Sequence, residues 1–230
     1  MITDSVKLIF SGAISTKLWL AAILANVGAM TLSVFIDDEL FPDLGVGVSA
    51  LLTITLIVGV IALFVTLWNL TRALALAHTG EQGGVGPWIG WGFVAILPVL
   101  PLFILLDFAS DEQPFWLLSS FVLAAASCLL VPISVHATGR AINRNGASLG
   151  TIFDYWLARY TRLFVAYFIV SVPLTMISDA LDNYGNSTPT DAILTAFATS
   201  ILYFIVTLLS IAVTVIAYRE AEAGRPLSAS

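Results

Sequence analysis

Long apolar runs, separated by short polar loops, set the pattern of this chain. Residues 18–36, 46–68, 88–106, 115–137, 163–178 and 192–218 are almost free of charge. An apolar helix of about 20 residues crosses a bilayer core, so the pattern predicts six transmembrane helices in one domain, residues 1–230. The expected fold class is all-α and polytopic. Prolines qualify the picture. Pro98 and Pro101 should bend the third span, Pro132 lies near the end of the fourth, and Pro173 should interrupt the fifth.

Two shorter stretches alternate at helical spacing instead. Between Leu149 and Tyr160, the side chains of Leu149, Ile152, Phe153, Trp156, Leu157 and Tyr160 share one face, while Thr151, Asp154, Arg159 and Arg162 fall away from it. A helix of this kind lies in a membrane interface. Trp156, Arg159 and Arg162 are its expected interfacial anchors, with the indole at headgroup level. Thr151 and Asp154 match a capping box at its start. Met1 to Lys17 is a second such stretch, with Val6, Ile9, Phe10, Ala13 and Ile14 on one side and Lys7 and Lys17 at its flanks. A basic start before an apolar run also fits a signal peptide. The run is too long for one, so an uncleaved first span is expected.

Composition agrees. The 230 residues are 59% hydrophobic and 10% charged, against about 25% charged in soluble domains. A net charge of −6 and scattered basic residues argue against nucleic-acid binding. The lone Cys128 can form no internal disulfide, and it sits in an apolar run as a small buried side chain.

Charge placement gives orientation. With six spans, Lys7, Lys17, Arg72, Arg140, Arg144, Arg159, Arg162, Arg219 and Arg225 all fall on one side. The opposite side holds Asp37, Asp38, Glu39, Asp43, Asp107, Asp111, Glu112, Asp179, Asp182 and Asp191. Basic loops face the cytoplasm, so both termini are expected there, with the protein in the cell (inner) membrane.

Few residues could carry chemistry. His78 and His136 are the haem candidates, for a cytochrome b-like subunit. Counted from Arg72 and Arg140 they differ by ten residues in register, about 15 Å along a helix, unless the helix breaks after Ala73. Thr199, Tyr203, Thr207, Ser210 and Thr214 make a hydroxyl stripe down the sixth span. It suits helix packing, or the lining of a polar path. Asn26 inside the first span needs a hydrogen-bond partner. No Asp, Glu, Lys or Arg stands mid-span, as ion-coupled transport would need. Hydrolase and phosphate-loop motifs are absent.

Gly146, Ser148 and Leu149, then Arg159 and Arg162 leading into a span, and Tyr218-Arg219 closing the last span form one further pattern. In these the final third of the chain resembles bacterial six-helix membrane proteins related to the membrane domain that precedes some glycerophosphodiester phosphodiesterases. This chain has no phosphodiesterase domain, so that activity is not implied, and Glu220-Ala221-Glu222 departs from a basic ending. The sequence thus leads to a non-enzymatic membrane protein without cofactors, a structural, assembly or regulatory component. Its expected partners are membrane lipids and other membrane subunits or a second copy. A small uncoupled transporter or channel is the alternative.

Overall fold

A computed structural model describes residues 1–35, 46–75, 83–97, 100–101, 115–143, 145–184 and 188–224. Among these residues the chain is all-helical, with nine helices: α1 (Ile2–Ile9), α2 (Thr16–Val34), α3 (Val46–Leu74), α4 (Val85–Ile96), α5 (Phe115–Leu129), α6 (Val131–Ile142), α7 (Leu149–Leu157), α8 (Tyr160–Tyr184) and α9 (Pro189–Ala223).

α9 is the centre of the bundle. It packs against α8, α2, α6, α1, α3 and α7, while α2 pairs with α3, α4 with α6, and α5 with α8. Its start is well specified. Thr188 accepts a hydrogen bond from the Asp191 amide at 3.2 Å, and Pro189 at the first helical position has no amide to leave unpaired. α2 begins in the same way, with the Leu18 amide bonded to Ser15 Oγ at 3.3 Å. The Asn26 amide donates to the Ser200 carbonyl and ties α2 to α9, so this buried polar group has its partner on a neighbouring helix.

Four helices are long and apolar enough to cross a membrane: Thr16–Val34, Gly47–Leu74, Tyr160–Ser178 and Thr190–Ala223. A fifth exists if the bent pair Phe121–Leu129 and Val131–Ile142 counts as one span. The expected fourth span, with Pro132 near its end, is thus a bent pair that turns by 61° at Leu130. Pro132 cannot donate to the Cys128 carbonyl, and its ring crowds that group, so the helix restarts with the proline in its first turn. The third expected span is described as α4, 12 residues ending two short of Pro98. Of the remainder, Leu97, Leu100 and Pro101 are described, Leu100 and Pro101 as helix, while Pro98 and the acidic loop before α5 lie outside the described residues.

Pro173 behaves differently from Pro132. α8 continues through it, correcting the expected interruption. Pro173 is exposed, so its ring faces away from the packed core, and neighbouring helices hold the rest of α8 in place.

The short helices also depart from expectation in detail. α7 starts one turn before Thr151: Ser148 is its cap, accepting from the Thr151 amide at 3.2 Å. On α1, Ser5 and Ile9 are buried, whereas Val6 and Phe10 are 40% and 78% exposed. Two of the five residues of the predicted apolar face, Val6 and Phe10, thus point away from the protein.

Contacts gather the described basic helix ends. Arg219 on α9 donates to the Leu74 carbonyl at 3.2 Å and to that of Ala75, closing the end of α3. Arg162 at the start of α8 meets Glu220 on α9 at 3.1 Å. α1 packs on α9 as well. One end of the bundle is thereby basic.

Candidate intramembrane cavity

Four of the five stripe residues share a cavity. Tyr203, Thr207, Ser210 and Thr214 on α9 line a space of about 650 Å³ enclosed by α3, α4, α5, α6, α8 and α9. That volume falls within the range of about 300–1,000 Å³ typical of small-molecule sites. Thr199 stands apart. It is fully buried, and its hydroxyl donates to the Thr195 carbonyl at 2.9 Å.

Other helices supply matching hydroxyls. α8 contributes Tyr167, Ser171 and Thr175, and α6 contributes Ser134 and Thr138. Each set steps by four, which puts it on one helix face. These steps were visible in the sequence, and reading α9 alone missed them. Thr138 and Thr214 are joined across the α6–α9 contact by a 2.9 Å bond between hydroxyls. Thr214 also reaches the Ile211 carbonyl at 3.0 Å. The Ser171 hydroxyl donates to the Tyr167 carbonyl at 2.8 Å, and its oxygen lies 3.4 Å from Cys128 Sγ on α5. Several hydroxyl protons are thus engaged with their own helices, leaving oxygen lone pairs toward the space.

Apart from Ser127 on α5, the rest of the wall is apolar. Phe64 and Trp88 meet edge to face at 6.4 Å between centroids, and Ile89, Phe93, Leu123 and Val206 complete it. Among the described residues, no Asp, Glu, Lys, Arg or His lines the cavity. Phe64 and Phe93 are also 39% and 59% exposed, so the cavity reaches the outer apolar surface of the bundle. A Cβ built on Gly92, another lining residue, meets nothing within 4 Å.

Of the two haem candidates, His136 is described. His136 is buried, 4.5 Å edge-on from Trp91, and its Nε2 accepts from Arg140 Nε at 3.4 Å. His78 lies outside the described residues. Among the described residues no group of His, Cys, Asp or Glu is placed to hold a metal ion.

The expected interfacial anchors part ways. Trp156 is fully buried, not at a surface, and its indole N–H donates to the Ala217 carbonyl at 3.2 Å. Protein and not lipid therefore covers this part of the stripe: Ile152 and Trp156 face α9, while Phe153 and Leu157 are 41% and 77% exposed. Arg159 stays exposed, stacked 4.6 Å from the Tyr155 ring centroid. Arg162 is held by Glu220.

Several residues that carry the resemblance in the final third also meet. Tyr218 lies against Gly139 and Gly146, and the Ala147 amide donates to its hydroxyl at 3.2 Å. Ser148 caps the helix that follows. No family model matches the chain, and no curated protein or solved structure is detectably similar to it.

Proposed function

We propose that this is a six-span integral membrane protein that holds a bilayer-borne amphiphile in the cavity. Its role is that of a non-enzymatic structural, assembly or regulatory component. The observation that carries this is the cavity wall: uncharged, mostly carbon, edged with hydroxyl oxygens, and reaching the bundle's outer surface at Phe64 and Phe93. Such a wall suits a ligand arriving from the lipid with a long apolar part and a small polar one. Protein purified in mild detergent should carry lipid in about stoichiometric amount by mass spectrometry. Gly92→Leu, which fills open space in the cavity, should lose most of it. Equal lipid in both proteins would refute the reading.

An uncoupled transporter is the second reading, because the α9 hydroxyls line one continuous space. It predicts that Thr207→Val abolishes flux while the fold survives. A holding role predicts a small effect, near the average of about 0.6 kcal/mol for one interhelical hydrogen bond.

The six-span topology, with the basic end cytoplasmic, has its own test. Cysteines replacing Asp38, Asp111 and Asn183 in a Cys128→Ser background should react with an impermeant thiol reagent in intact cells, and one replacing Ser228 should not. Labelling at Ser228 would overturn the orientation. In this arrangement α1 and α7 lie at the cytoplasmic interface, with exposed Phe10 and Leu157 dipping into the leaflet beside Lys7 and Arg159. The likeness to the membrane domain that precedes phosphodiesterases belongs to this proposal, and only for the final third.

A further inference from the structure

The cavity has a polar neighbour. On α3, Phe64, Trp68 and Arg72 stand at i, i+4 and i+8 and so share one side of the helix. Phe64 walls the cavity, and Trp68 and Arg72 lie one and two turns nearer the basic end. Helical side chains lean toward the helix N-terminus, which for α3 is away from that end. Arg72 follows this lean, with its Cζ 5.0 Å from the Trp68 ring centroid. An arginine near a membrane edge usually reaches for water. This one folds inward over an indole.

Each group has one buried donor that is not used. Trp68 Nε1 and Arg72 Nε are buried without a hydrogen-bond partner. Neither the Met1–Asp4 nor the Arg162–Glu220 ion pair involves Arg72. Donors left in this state are costly, and an incoming acceptor recovers that cost.

We infer that Trp68 and Arg72 form the headgroup subsite of the cavity and that its occupant is a phospholipid of the surrounding leaflet. This rests on the cavity reading above and names its ligand. The phosphate sits on the Arg72 guanidinium, and an acyl chain runs past Phe64 and Trp88 into the cavity. Charge selects the phosphate, since a guanidinium fork matches its oxygens. The uncharged carbon wall takes the chain and would reject a second charge. On binding, the Arg72 side chain turns from the indole to the phosphate, which uncovers the Trp68 N–H for a second oxygen.

Full-length wild type, Arg72→Gln, Arg72→Lys and Gly92→Leu would be delipidated in detergent and titrated with dioleoyl phosphatidylglycerol, followed by native mass spectrometry. Wild type should bind one molecule tightly. Arg72→Gln should bind about tenfold more weakly, the scale of one charge-assisted hydrogen bond, with Arg72→Lys between them. Dioleoylglycerol, which lacks the phosphate, should bind wild type as weakly as the phospholipid binds Arg72→Gln. If Arg72→Gln binds like wild type while Gly92→Leu does not bind, the headgroup subsite falls and the cavity reading stands. If neither variant weakens binding, both fall. Displacement of the phospholipid by inorganic phosphate at equal concentration would overturn the lipid assignment in favour of a free anion.

Discussion

Trp156→Ala should destabilise the protein by about 3–5 kcal/mol, the usual cost of deleting a fully buried large aromatic side chain. Trp156 is fully buried, and the cluster around it includes Ile152, Leu163, Val213, Ala217 and Ala221 from α7, α8 and α9. Its N–H also satisfies the Ala217 carbonyl, so Trp156→Phe should cost less, about 1 kcal/mol for the lost bond. Chemical unfolding in detergent would measure both. The comparison decides between two places for the indole. A ring at headgroup level is packed by lipid, and its removal would cost well under the cavity figure. A loss below about 1 kcal/mol for Trp156→Ala would return Trp156 to the interface.

Trp156 also marks how far the sequence could be read. Periodicity placed Ile152 and Trp156 on one apolar face, and they share it. Periodicity says that a face is covered, and not whether protein or lipid covers it. Both coverings select the same residues, so the choice emerges only once α9 is in place. The prolines teach a related lesson. Pro132 breaks a helix and Pro173 does not, although each lacks the same N–H. What differs is tertiary: Pro173 faces outward from a helix held by its neighbours, whereas α6 turns away at Pro132 to pack on α4.

The long helices were legible because apolar length alone identifies them. α2, α3 and α9 begin or end within a few residues of the predicted runs, and α9 continues past its apolar segment to Ala223. The α9 hydroxyl stripe was legible for the same reason, being local to one helix. The cavity was not. It depends on Tyr167, Ser171 and Thr175 on α8 and on Ser134 and Thr138 on α6 facing that stripe. A step of four on each helix shows a polar line, but nothing local says that three lines converge.

Tyr218 offers the sharpest test of how the basic end is packed. A Cβ added at Gly139 would fall 2.7 Å from Tyr218 Cδ2 and 3.0 Å from Cζ, and closer still to Cε2. A Cβ at Gly146 would collide with the Tyr218 hydroxyl oxygen, with Cζ next at 3.1 Å. Neither glycine has a positive φ, so an alanine brings no backbone strain of that kind. Gly139→Ala and Gly146→Ala should each cost about 1–3 kcal/mol through overpacking. Their responses to Tyr218→Phe should differ. Removing the hydroxyl removes the atom that Gly146→Ala strikes, while the ring carbons that Gly139→Ala strikes remain. Tyr218→Phe itself should cost little, because the Ala147 amide keeps Glu222 Oε2 at 3.3 Å as an acceptor. In the Tyr218→Phe background, then, the penalty of Gly146→Ala should fall, with a coupling of about 0.5–3 kcal/mol, and that of Gly139→Ala should stay. Unfolding of the four single and double variants beside wild type and Tyr218→Phe gives both cycles. Equal rescue at the two glycines, or rescue at Gly139 alone, would mean that Tyr218 does not lie between them as described.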